Sequence, residues 1–237
     1  MAGMEYWSAC ELAGQIRAGK VTSLAAVEFF IDRIERLDAG RTNNVVVKTY
    51  ESARRRAKEA DAALAKGESW GVLHGMPMTV KESYAIVGVQ TTCGMSRFME
   101  PEPFKPAVNA AVVHRVLGQG ALIIGKTNLP ELAADMQSYN SIYGTTRSAW
   151  NMDHTPGGSS GGGAGAVACG LTPVEIGSDI EAASASQPTS AASAGTSPAR
   201  ASSTSSAWCR RTRCLSTRRP LPWLAPWLET AETSLSC

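Results

Sequence analysis

The stretch Thr155–Gly163 reads TPGGSSGGG. Glycines let a backbone turn tightly and approach a ligand closely, so a loop of this composition can build a site. Composition equally fits a flexible Gly/Ser linker. A phosphate loop is a third option, but the Lys-Ser/Thr ending of that motif is missing. Gly163-x-Gly165-x-x-Ala168 matches a dinucleotide fingerprint only faintly, with no clear strand before it. Lys81 sits in HGMPMTVKES, at the end of an apolar, strand-like run. Most lysines are solvated surface groups. One held at a buried strand end is different, because desolvation lowers its pKa and a neutral amine can act as a general base. His74, His114 and His154 have no metal-ligand spacing, and the six cysteines form no CxxC pair. No metal site is expected.

These residues need a scaffold. Ser8 and Glu11 have capping-box spacing, with Leu12 and Ile16 on one face and Gly19 as the stop, which predicts a short helix. Leu24, Val27, Ile31, Ile34 and Leu37 recur every three or four residues, predicting a second helix from Ser23 to Gly40. Val45–Thr49 reads as a strand and the Ala-rich, charged stretch 51–66 as a helix. Further strands are expected at Met78–Val80, Ala121–Ile124 and Val174–Ile176, and helices at 107–118 and Ala164–Ala168. Helices alternating with short buried strands predict an α/β fold.

Four segments then make a pattern. In order they are GVLHGMPMTVKES, GALIIGKTNLPELA, YGTTRSAWN and TPGGSSGGGAGAVACGLTPVEIGSDI. With these motifs the chain resembles the amidase signature family over residues 5–180, most strongly over 71–180. The resemblance implies a layered α/β domain with a mixed central sheet flanked by helices, incomplete on its C-terminal side. It also implies a Ser–Ser–Lys hydrolase of carboxylic amides that uses no metal or organic cofactor. Lys81 matches the family's lysine, and Ser159 matches the bridging serine, which sits on a cis peptide. Gly157, Gly158, Ser160, Asp179 and Ile180 match the oxyanion and substrate loop. The chemistry is coherent: a neutral Lys81 would draw a proton through Ser159 and return it to the leaving amine.

The nucleophile itself does not match. The family continues after GSDI with glycines and the nucleophilic serine, whereas this chain continues EAASASQPTS. Ala183 occupies the nucleophile position, and Ser184 comes one residue late, which misdirects a side chain. Deleting one base from codons for Ile-Gly-Gly-Ser-Ile-Arg yields Ile-Glu-Ala-Ala-Ser-Ala, the sequence at 180–185. The same offset lets Pro222–Leu235 be read as a family-like segment. Residues 181–237 are therefore expected to be an out-of-frame, disordered, low-complexity tail rich in Ser, Ala and Arg, without Val, Ile, Met, Phe or Tyr. On this view residues 1–180 are the N-terminal part of an amidase-like domain, inactive as written. The alternative is a non-catalytic fragment that binds a ligand or has no function.

Composition narrows the partners. The 237 residues carry a net charge of +2, which gives no reason to expect nucleic acid. The expected partner is a small-molecule amide, with oligomeric state open. No run approaches the ~18 apolar residues of a membrane span. The N-terminus lacks the basic start and apolar core of a secretory signal, so a cytoplasmic location is expected.

Overall fold

The structure, a computed structural model, describes residues 3–179. Ile180, Ala183, Ser184 and the expected tail lie outside the described residues.

The first helix, α1 (Ala9–Arg17), starts where the Ser8 hydroxyl accepts the Glu11 N–H at 3.1 Å, and it buries Leu12 and Ile16. Thr22 caps α2 (Ser23–Leu37) in the same way, and Val27, Phe30, Ile31 and Ile34 form its buried face. Beyond α2 the buried Asp38 carboxylate organises the turn into β1 (Val45–Lys48). It accepts the N–H groups of Asn44 and Val45, both at 2.8 Å, and the Thr42 hydroxyl. Helix α3 (Tyr50–Ala65) buries Ala53, Ala57, Ala60 and Ala63, a small-residue face that lets it lie close to the sheet. A two-pronged Arg54–Glu28 contact, 2.7 and 2.9 Å, ties α3 to α2.

Strands β2 (Pro77–Lys81) and β3 (Leu122–Thr127) are buried at every residue. Burial of consecutive residues means that both faces of the sheet are covered, as expected for an α/β layered fold. Between them, α4 (Ala111–Gly118) is one turn shorter than the sequence predicts. Asn109 Oδ1 accepts the Val87 N–H at 2.8 Å, and the Ala110 N–H is given to Ala85. These bonds tie residues 109 and 110 to the 85–87 segment and keep them out of the helix. A short hairpin, β4 (Tyr139–Asn140) and β5 (Gly144–Thr145), has no counterpart among the expected strands. It precedes α5 (Gly161–Ala168) and β6 (Glu175–Ile176).

The main sheet has the order β1-β3-β2-β6 and is mixed: β1 runs antiparallel to β3, while β3, β2 and β6 are parallel. Because β2 and β6 are adjacent and parallel, their carboxyl ends emerge at the same rim. That rim is where open α/β sheets place ligands. Among the described residues no helix is long and apolar enough to cross a membrane.

Candidate active site

Lys81 is the last residue of β2, and its side chain is completely buried. Its Nζ lies 2.6 Å from Ser159 Oγ, 3.0 Å from Ser178 Oγ and 3.2 Å from the Ser178 carbonyl. Burial pushes the Lys81 ammonium down to about 8, against the opposing charges of Cys93, Asp179 and Glu175. At mildly alkaline pH much of this lysine is therefore an uncharged amine, able to take a proton from a hydroxyl.

The glycine-serine loop that brings Ser159 to Lys81 is a packed element, not a linker. Ser138 Oγ donates to the Gly157 carbonyl at 3.1 Å and accepts the Gly161 N–H at 2.9 Å. Gly157 has φ 92°, a left-handed conformation that glycine adopts without strain. The Gly158–Ser159 peptide is cis. A Cβ on Gly158 would lie 2.6 Å from the Met136 carbonyl carbon and 2.7 Å from Gln137 N, so only glycine lets the loop sit here. Ser160 is buried and bridges to the strand end: its hydroxyl donates to the Ser178 carbonyl at 2.9 Å and accepts the Ser178 N–H at 3.1 Å.

Two buried groups support this arrangement. Glu82, next to Lys81, accepts the N–H groups of Thr92 and Cys93 at 2.6 and 2.7 Å and lies 3.7 Å from Lys126 Nζ. Glu175 on β6 is fully buried and accepts the Thr127 hydroxyl at 2.6 Å. Burial raises its carboxyl to about 8.

These shifts predict the pH dependence of stability. Burial also lowers Lys126 to about 8. Between pH 8 and about 10.4 the unfolded chain holds lysine protons that the folded chain has released, so stability rises with pH in that window. Glu175 acts with the opposite sign: from about pH 4.3 to 8 the folded chain holds a proton that the unfolded chain has lost, so stability falls. Burial also raises the thiols of Cys169, to about 11, and Cys93, so above about pH 8.5 they oppose the lysines. Urea unfolding at a series of pH values should show stability falling up to about pH 8 and only a shallow change beyond it. Lys81→Met should remove one lysine's upward contribution above about pH 8, so that its stability falls relative to the parent's as pH rises there; parallel curves would show that Lys81 is not desolvated.

A protein-family model, Amidase, matches residues 25–195. The chain belongs to the amidase signature family. Among curated amidase signature relatives, it is 39% identical over 176 residues to a glutamyl-tRNA(Gln) amidotransferase subunit from Halorhodospira halophila, covering 74% of this chain and 35% of that protein. Among solved structures, a bacterial aryl acylamidase of the amidase signature enzymes superposes with a TM-score of 0.67 at 33% identity, over 71% of this chain and 34% of that one. The native peptide amidase from Stenotrophomonas maltophilia matches with a TM-score of 0.67 at 30% identity, over 75% and 36%. The chain spans about a third of the length of the relatives it matches.

Of the residues picked out by the amidase signature resemblance, the fold brings Lys81, Ser159 and Ser160 together and places Gly157 and Gly158 in the loop that carries them. Asp179 is exposed at the same rim. Ile180 and Ala183 lie outside the described residues. The histidines play no part: His74 is buried between Trp70 N and the Ala60 carbonyl, and His114 and His154 are exposed. Among the described residues no three His, Cys, Asp or Glu side chains converge as a metal site would require. Sequence reasoning missed Ser178, the second hydroxyl on Lys81. Its only signal was its place two residues beyond a strand parallel to the lysine's own.

Proposed function

We propose that this chain carries the base and relay half of an amide-hydrolase site: Lys81 is the proton acceptor, Ser159 the bridge, and the nucleophile is absent because Ala183 stands in its place. The single observation that supports this is the 2.6 Å contact between Ser159 Oγ and the buried Lys81 Nζ. In a complete site, Lys81 would withdraw the nucleophile's proton through Ser159. The same path would deliver it to the departing amine as the acyl bond breaks. Gly157, Gly158 and Asp179 would line the acyl end of the substrate. Without the attacking hydroxyl no covalent intermediate forms on that path, so turnover of carboxylic amides should be absent. The substrate class is carboxylic amides; the relatives' names do not narrow it further for a chain that spans about a third of their length.

The test is ammonia or amine release from a panel of simple alkyl, aryl and amino-acid amides. The expected result is no release above buffer. Turnover abolished by Lys81→Ala and by Ser159→Ala would instead show an intact enzyme.

We further propose that 1–180 and 181–237 have separate origins, the second part read one base out of the ancestral frame. The coding sequence across residues 175–190 tests this. An alternate frame there that gives no family-like Gly-Gly-Ser-Ile-Arg would remove the explanation, though not the absence of the nucleophile.

A further inference from the structure

Three contacts converge on Lys81 Nζ, and their chemistry restricts its neutral form. A neutral amine has two N–H donors and one lone pair. The Ser178 carbonyl can only accept, so it takes one N–H. One N–H and one lone pair remain for two hydroxyls, Ser159 Oγ at 2.6 Å and Ser178 Oγ at 3.0 Å. When Lys81 is neutral and all three contacts are kept, one serine must donate its proton to the lysine lone pair. Ser178 is therefore as directly coupled to the base as Ser159 is.

Two features set Ser178 apart. Its backbone is fixed on both sides, with its N–H given to Ser160 Oγ and its carbonyl accepting from Ser160 Oγ and Lys81 Nζ. The side chain thus turns on a rigid base at the carboxyl rim of the sheet, where Ser178 is partly exposed. Its contact with Lys81 is also the longer of the two, so less is lost when the oxygen swings toward an incoming carbonyl.

We propose that Ser178 is an acyl-accepting serine in its own right, forming a Ser–Lys pair with Lys81 that takes acyl groups from activated carboxylic esters. The proposal rests on the assignment of Lys81 as a base. With p-nitrophenyl acetate the Ser178 Oγ–carbon bond forms as the hydroxyl proton passes to Lys81 Nζ. The ester C–O bond then breaks, and the phenol oxygen takes that proton back, leaving acetyl-Ser178 and a neutral lysine.

The full-length chain is treated at pH 9 with a simple alkyl fluorophosphonate, which marks such a serine stably, and the adduct is mapped by peptide mass spectrometry. A parallel p-nitrophenyl acetate reaction measures the phenol burst. The expected result is one adduct per chain on Ser178, with the burst and labelling rate falling at least tenfold in Lys81→Met. Ser178→Cys keeps a nucleophile at the position should Ser178→Ala not fold; its thiol should be alkylated by iodoacetamide, again more slowly without Lys81. An adduct on Ser159, on Ser184 or elsewhere, or none, overturns the proposal. Titration of the Lys81 side chain by NMR separates the two levels. A lowered lysine with no Ser178 adduct removes only the acceptor role, whereas an ordinary lysine removes the base as well.

Discussion

Glu82→Ala is expected to cost about 3–5 kcal/mol, enough to unfold much of a domain whose total stability is of order 5–15 kcal/mol. The carboxylate is completely buried and accepts the Thr92 N–H at 2.6 Å, the Cys93 N–H at 2.7 Å, the Thr92 hydroxyl at 3.2 Å and the Tyr143 hydroxyl at 3.1 Å. Lys126, equally buried, lies 3.7 Å away and gives its protons to the Gln90 carbonyl and Thr91 hydroxyl, both at 2.7 Å. Alanine would leave four donors without their acceptor and a lysine without its counter-charge. Removing one partner of a buried pair is costly for that reason, while replacing both by groups of similar shape often is not. Glu82→Gln should therefore cost less than alanine, and Glu82→Gln with Lys126→Met should recover part of the loss. Urea midpoints of the four proteins check this. A Glu82→Ala chain within about 1 kcal/mol of the parent would show that the pair does not organise this rim.

The second large effect is a reversal of sign. In a free helix Gly→Ala gains roughly 1 kcal/mol. Gly14 in α1 has nothing within 4 Å of a built Cβ, so Gly14→Ala should follow that rule. Gly162 in α5 should not. A Cβ there would lie 2.6 Å from the Asn128 carbonyl oxygen and 2.9 Å from its Cα, and backbone just past the end of β3 cannot swing aside as a side chain can. The helix would have to lift from the sheet. Overpacking of this kind costs roughly 1–3 kcal/mol, a fall in Tm of about 3–10 °C for a domain of this size. Thermal unfolding of the two variants side by side is the measurement. Equal gains would mean that α5 does not lie against Asn128.

That contrast also explains what the sequence could and could not reveal. Helices α1 and α2 are legible because apolar periodicity and a capping hydroxyl agree, and the structure repeats both. Strands β2 and β3 are legible as apolar runs, though each extends further into polar residues than the runs suggest, ending at Lys81 and Thr127. Helix α5 begins earlier than the sequence predicts because propensity penalises Gly161, Gly162 and Gly163; close approach to Ser138, Asn128 and Glu175 outweighs that penalty. Lys81 is legible as a candidate from its place at the end of an apolar run, but its pairing with Ser159 is legible only through family motifs, since no local pattern links residues so far apart. Ser178 carries no local signal beyond its place after a strand, because what matters there is a neighbour contributed by another strand. Glu82 and Lys126 carry no signal in the sequence and become a pair only through the parallel register of β2 and β3.

The parallel placement of β6 beside β2 also has a consequence in time. Lys81 meets Ser159 across 78 residues and Ser178 across 97. Closing loops of that length carries an entropic cost that must be met before these contacts can form, and it slows folding. On the ribosome the lysine emerges long before its partners, and until β6 docks its ammonium stays hydrated with an ordinary proton affinity. The lowered proton affinity of Lys81 is thus a property of the docked sheet: protonation of Lys81 reports whether β6 has found its place.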